Sequence, residues 1–368
     1  MKFSHYIWAI YLIVYPFYLL PKGGPQIADV FGSIIIIVNF KTILTSINTN
    51  RYTKFLFLFV VYTFIVNTVW MLILGEIKVL QNSIFYLYGF FFMLAIFSKI
   101  KDKSFLEISL KAVSISLIIQ TVAWPLIKSQ GVRTQMFFNN PNQLALWATC
   151  LLVIIYVLTN ILKTKSKYSI PLLLLCSLFI LISASRAALG GALIFWAFYI
   201  IKSRKNLIIF GVVTVLAVIL FGSSFDLDLK NFESLEYNMD RFSNNTISGS
   251  GNQSIGHRGF QRIGENPQYL VLGAGEGAFE RFNEVMELHS IFASVLFCYG
   301  ILGLFLYLSA YSSLFVNIKK ETIALLFPLA LFAVVHMTLR IPLFWITLLF
   351  VIYLHEEKIR TNNFLSTD

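Results

Sequence analysis

The side chains best suited to chemistry sit at or near the ends of long apolar runs: Arg133, Asn139-Asn140-Pro141-Asn142, Ser185-Arg186, His257-Arg258, His289 and Arg340. Several precede a helix start. Asn140 can N-cap with Pro141 at the first helical position, Ser185 can cap the run after it, and His289 opens another. A helix N-terminus presents unpaired N–H groups and positive potential. Arginines beside such ends make a phosphate or diphosphate site. Each residue also has a plainer reading. Interfacial arginines reach for lipid head groups, a histidine can simply be satisfied at an interface, and Asn-Pro-Asn alone is a turn and cap. Arg186 stands apart because Ala184, Ser185, Ala187, Ala188, Gly190 and Gly191 surround it, and small residues mark close helix packing. Asp226-Leu227-Asp228 has the spacing of a metal–sugar carboxylate pair, or is solvated. Neither His257 nor His289 has metal-ligand spacing with a Cys or acid, so no metal is expected.

The elements that must position these residues follow from composition. Of 368 residues 57% are hydrophobic and 13% charged, where a soluble domain is roughly a quarter charged. That excludes a soluble enzyme, a disordered chain and a fibrous repeat, and points to a polytopic membrane protein. The net charge of +11 would suggest nucleic acid in a soluble protein. Here it fits the basic cytoplasmic loops of membrane proteins, and no nucleic-acid partner is expected. Cys150, Cys176 and Cys298 lie in apolar runs and read as core residues, with no disulfide framework.

Twelve runs approach the length of a span: 6–20, 27–44, 55–74, 79–97, 104–127, 141–162, 168–183, 187–201, 206–222, 289–308, 321–339 and 341–354. The expected fold is therefore all-α, a single integral membrane domain over 1–368 with about twelve transmembrane helices. With the N-terminus inside, the inner segments carry seventeen Lys/Arg and the short outer loops six, which predicts both termini in the cytoplasm. One outer loop dominates. Residues 223–288 hold ten acids against five Lys/Arg. Its middle, 243–259, has no apolar period. At its end, Phe279, Phe282, Val285 and Met286 have helical spacing, which predicts an amphipathic helix over 276–288.

Five short motifs lie in order on that predicted outer face. They are Phe138-Asn139-Asn140-Pro141-Asn142-Gln143-Leu144-Ala145, Ser185-Arg186-Ala187-Ala188, Arg258-Gly259-Phe260-Gln261-Arg262-Ile263, Gly273-Ala274-Gly275-Glu276-Gly277-Ala278-Phe279, and His289-Ser290 followed after nine residues by Gly300 and then Gly303. Together they resemble the O-antigen ligase and polymerase superfamily, most of all the polymerases of surface polysaccharide.

The resemblance implies a glycosyltransferase in the bacterial inner membrane. It would join undecaprenyl-diphosphate-linked glycan repeats, which serve as donor and acceptor, without a metal or other cofactor. By the same resemblance Arg186 and Arg258 stabilise the leaving diphosphate, with Arg133, Arg262 and Arg340 in support and Asn140 and Asn142 at the substrate. His289 takes the acceptor's proton or positions its hydroxyl. Membrane lipids and a chain-length regulator are the other implied partners. A ligase acting on a lipid A-core acceptor is the nearest rival. A lipid-linked oligosaccharide flippase is a second, though it would show paired halves and mid-span charges. A scaffold without activity is the third.

Overall fold

A computed structural model describes residues 3–20, 24–127, 133–202, 259–283, 287–312 and 319–365. Arg258, His257, Asp226 and Asp228, the run 206–222 and the stretch 243–258 lie outside the described residues. Among those described, the regular structure is helical. In chain order come α1 (Phe3–Val14), α2 (Ile27–Val38), α3 (Phe40–Ser46), α4 (Arg51–Leu74), α5 (Lys78–Phe97), α6 (Lys103–Ala123), α7 (Pro141–Ile161), α8 (Ser166–Ile182) and α9 (Arg186–Ile201). The short α10 (Gln261–Glu265) and α11 (Tyr269–Leu272) follow, then α12 (Ile291–Tyr311), α13 (Lys320–Val335) and α14 (Pro342–Leu365).

Five of the described helices are long and apolar enough to cross a membrane, or six if α2 and α3, bent by 75° at Asn39, count as one span. The shorter α1, α8 and α9 are apolar too. Local chemistry sets several boundaries. Pro16 lacks the N–H that would extend α1. Asn140 caps α7, its side chain accepting from the Gln143 N–H at 3.0 Å, with Pro141 at the first helical position. The expected break between α8 and α9 occurs at Ala184, which takes a left-handed φ of 51°. Two expected caps differ. Ser185 holds the N-cap position of α9 but its side chain makes no capping bond. At α12 the cap is Ser290, whose hydroxyl accepts from the Ala293 N–H, rather than His289.

Helix α7 is the axis. Of its most apolar stretch 89% is buried, under α6, α8, α9, α13 and α14. A second group packs α4 against α5 and α12, and α5 against α14. α1 lies along α6, where the Trp8 indole donates to Ser109 at 2.8 Å. On α4 and α12, Leu72, Ile73, Ile301 and Phe305 stay exposed.

The two ends of the bundle carry different chemistry. At one, Lys202 after α9, Lys358 in α14 and the Tyr156 hydroxyl all meet the Glu321 carboxylate at the start of α13. Burial lowers the Lys202 amine from its ordinary value. At the opposite end, where α7 and α14 begin, the chain encloses a cavity.

α12 is interrupted at Gly300, where φ is 64° and ψ is −173°. A Cβ there would lie 2.2 Å from the Val271 carbonyl oxygen. Backbone strain and collision add at one position, so Gly300→Ala is expected to cost about 3 kcal/mol. A lowered midpoint of thermal unfolding in detergent checks this, with Gly264→Ala, where a Cβ meets nothing within 4 Å, as the control.

Candidate functional site

The interruption at Gly300 serves a docked segment. Near the break, the Phe297 and Cys298 carbonyls accept from the Ala274 and Gly275 N–H groups at 2.9 and 2.8 Å. The glycine-rich segment and the His-x10-Gly segment, separate in sequence, therefore pair backbone to backbone. Gly273 needs to be glycine for the matching reason: at φ 94°, a Cβ would sit 2.3 Å from the Cys298 oxygen. α4 holds the other side of the strap. Tyr62 donates to the Leu272 carbonyl at 3.1 Å, and the Trp70 indole to the Gly273 carbonyl at 3.0 Å. The Asn67 side chain accepts from the Glu276 N–H at 2.8 Å. Arg281 closes the strap, donating to the Ala274 carbonyl and stacking over Trp70 at 4.6 Å. Burial lowers its guanidinium from the ordinary value.

This geometry corrects the helix expected over 276–288. Gly275, Gly277, Ala278 and Asn283 all have positive φ. Only a 3-10 turn, Phe279–Phe282, forms, and 284–286 lie outside the described residues. Left-handed backbone at these positions outweighs the apolar spacing that suggested an α-helix.

Glu276 is the hub. Its Oε2 accepts from the Tyr86 hydroxyl at 2.5 Å and the Tyr299 hydroxyl at 2.7 Å. Its Oε1 accepts from Arg340 Nη2 at 2.6 Å and Nε at 3.2 Å. Arg340 Nη1 then bonds Glu287 Oε2 at 2.8 Å. Burial works against the charge on Arg340, but Glu276 and Glu287 outweigh it and hold the guanidinium well above its ordinary value. Arg340, expected to support a diphosphate, is thus already bridged between two carboxylates.

Beside Arg340 opens a cavity of about 1000 Å³. Four helix starts reach it: Gln26 and Asp29 of α2, Lys78 of α5, Asn139 and Gln143 of α7, and Ile341 and Pro342 of α14. Tyr15, Tyr18, Phe85 and Tyr88 line the apolar part, Gln81 and Asn82 add amides, and Phe279, Glu280 and Glu287 come from the strap. Asp29 serves its own helix, its carboxylate accepting from the Gln26 N–H at 2.7 Å.

The other expected residues fall nearby in two groups. Arg133 donates from Nε to the Ser183 carbonyl at 3.0 Å and from Nη2 to Asn142 Oδ1 at 2.9 Å. That ties the approach to α7 to the turn leading into Arg186, which is exposed. Asn140 stays with its capping role. The buried Arg262 donates to the Gly259 carbonyl and shares a small cleft with Glu276, Glu287 and Arg340. His289 Nδ1 lies 2.7 Å from the Glu287 carbonyl. A carbonyl only accepts, so Nδ1 carries the proton and a neutral His289 keeps its lone pair on Nε2. His289, Arg133 and Arg186 are outside the lining of the large cavity, in which Glu287 and Arg340 take part.

No protein-family model matches the chain, and no curated protein matches it.

Spacing marks Glu276 only as a member of the glycine-rich motif, and does not mark Asn67, Tyr86, Tyr299 or the aromatic and amide lining at all. One signal was available: Asn67 and Asn82 are amides inside strongly apolar helices, and polar groups in such places seldom lack a task.

Proposed function

We propose that the chain is a polysaccharide polymerase of the O-antigen type: a membrane glycosyltransferase that joins undecaprenyl-diphosphate-linked repeats at the outer face of the bacterial inner membrane. Twelve spans with both termini inside, and 223–288 outside, belong to this reading. One observation carries it. Four helix N-termini, Arg340 and Lys78 meet in a single cavity of about 1000 Å³ that also offers tyrosines, amides and the carboxylates of Asp29, Glu76, Glu280 and Glu287. Helix N-termini and basic side chains suit a diphosphate. Aromatic rings, amides and carboxylates suit the faces and hydroxyls of sugars. The connections that form its walls are the ones the charge alternation assigns to the outer face.

The reaction is substitution at an anomeric carbon. The acceptor hydroxyl forms the new C–O bond as the bond to the phosphate oxygen breaks. The diphosphate leaves with the electron pair, and the hydroxyl proton passes to a base. His289 Nε2 is the proposed base. Arg186 and Arg258, with Arg133, Arg262 and Arg340 in support, would hold the developing charge.

A ligase shares donor and chemistry and differs only in the acceptor, a phosphorylated lipid A-core. The net −5 of loop 223–288 disfavours that partner. A deletion strain is therefore expected to keep single repeats on its surface lipid and to lose the long-chain ladder. Bare core, with full-length polymer retained on undecaprenyl diphosphate, would replace polymerase with ligase.

A further inference from the structure

Arg340 stands between two carboxylates that are not alike. Glu276 is 5% exposed and is fixed by Tyr86, Tyr299 and the bond from its N–H to Asn67. Glu287 is 37% exposed and lines the large cavity together with Arg340, whereas Glu276 stands behind that wall. The first carboxylate is a permanent anchor that orients the guanidinium. The second occupies the cavity-side edge of the same fork, where an incoming anion would bind. Glu287 is the better solvated of the two carboxylates, so releasing it from Arg340 costs less than releasing Glu276. A diphosphate offers more charge and several oxygens to that edge, and the four helix starts around the cavity favour it further.

We propose that Glu287 is a resident stand-in for the substrate's diphosphate: it holds Arg340 until the diphosphate arrives and displaces it. This rests on the reading of the chain as a polymerase with a lipid-diphosphate donor. The backbone carbonyl of Glu287 is the group that His289 Nδ1 bonds, at 2.7 Å. Because that bond already orients the proposed base, the exchange moves the Glu287 side chain and leaves its backbone carbonyl on His289. Glu287 is a positioning residue on this account, and no bond to it forms or breaks covalently.

The test uses the full chain in detergent with inorganic pyrophosphate as the probe, followed by calorimetry. Glu287→Gln keeps the size and removes the competing charge, so it is expected to bind pyrophosphate at least about tenfold tighter than the unmodified protein. Glu287→Ala should show the same gain, which separates loss of charge from any new bond made by the amide. Adding Arg340→Gln to Glu287→Gln should abolish the gain. In the polymer assay Glu287→Gln should lower the KM for donor, while a merely structural role would leave KM unmoved. Equal or weaker pyrophosphate binding in both Glu287 variants overturns the exchange, even if the unmodified protein still extends polymer. A gain that survives Arg340→Gln also overturns it, because the anion then binds elsewhere. Absence of polymer formation by the unmodified protein instead removes the polymerase reading on which the exchange rests.

Discussion

Glu276→Ala is expected to destabilise the protein by about 3 kcal/mol and to abolish polymer together, more than any other single change in the strap. Two tyrosine hydroxyls lose their acceptor, and Arg340 is left with the half-exposed Glu287 alone. The strap also loses the Glu276 side-chain anchor and keeps its backbone bonds to Tyr62, Asn67, Trp70, Arg281 and α12. Glu276→Gln should fall between, because its single amide oxygen cannot accept from both the tyrosine pair and the guanidinium, which use different carboxylate oxygens. Thermal unfolding in detergent reads the stability, and a gel of surface polysaccharide reads the function. The double variant Glu276→Ala with Arg340→Ala should be less damaged than the sum of its parts, since the one carboxylate it leaves unpaired, Glu287, is partly exposed to water. A full sum would mean that the two residues do not form one unit.

His289→Ala is the second large effect. Removing a positioned base costs about 10²- to 10⁴-fold in rate, which on a gel is loss of the ladder with protein still in the membrane. The tautomer makes the expectation specific. The Glu287 carbonyl fixes the proton on Nδ1, so Nε2 is the accepting nitrogen, and a side chain lacking a nitrogen there should fail. Arg186→Ala should be as damaging, and Arg186→Lys nearly so, because an ammonium cannot reproduce a planar fork on a diphosphate. Unchanged chain lengths from His289→Ala would take histidine out of the mechanism.

What the sequence discloses and what it hides divide along contact range. The Asn140 cap, the break at Ala184 and the start of α14 at Pro342 depend on neighbours a few residues away, and spacing alone reveals them. The hub around Glu276 does not. Its partners Asn67, Tyr86 and Arg340 come from three helices or connections far along the chain, and nothing local marks Glu276 as buried. The same limit explains the helix expected over 276–288. Apolar spacing at 279 and 282 is real, yet the glycines before it serve a docking contact with α12 that lies outside any sequence window. The glycine-rich and histidine motifs could be ordered from sequence, but their pairing through Ala274 and Phe297 is a tertiary fact. Arg340 stands out in the sequence as an arginine at the end of an apolar run, whereas its two carboxylate partners read only as loop acids.

The most direct test of the central claim is chain growth in a closed system. Purified protein in liposomes is given undecaprenyl-diphosphate-linked repeat units, with EDTA and with no other enzyme. Products are separated by length. The account predicts a ladder of lipid-linked oligomers that forms with the unmodified chain and is absent with His289→Ala. Repeats that cross the bilayer without lengthening, that lengthen nothing but a supplied lipid A-core, or that remain single throughout would contradict it.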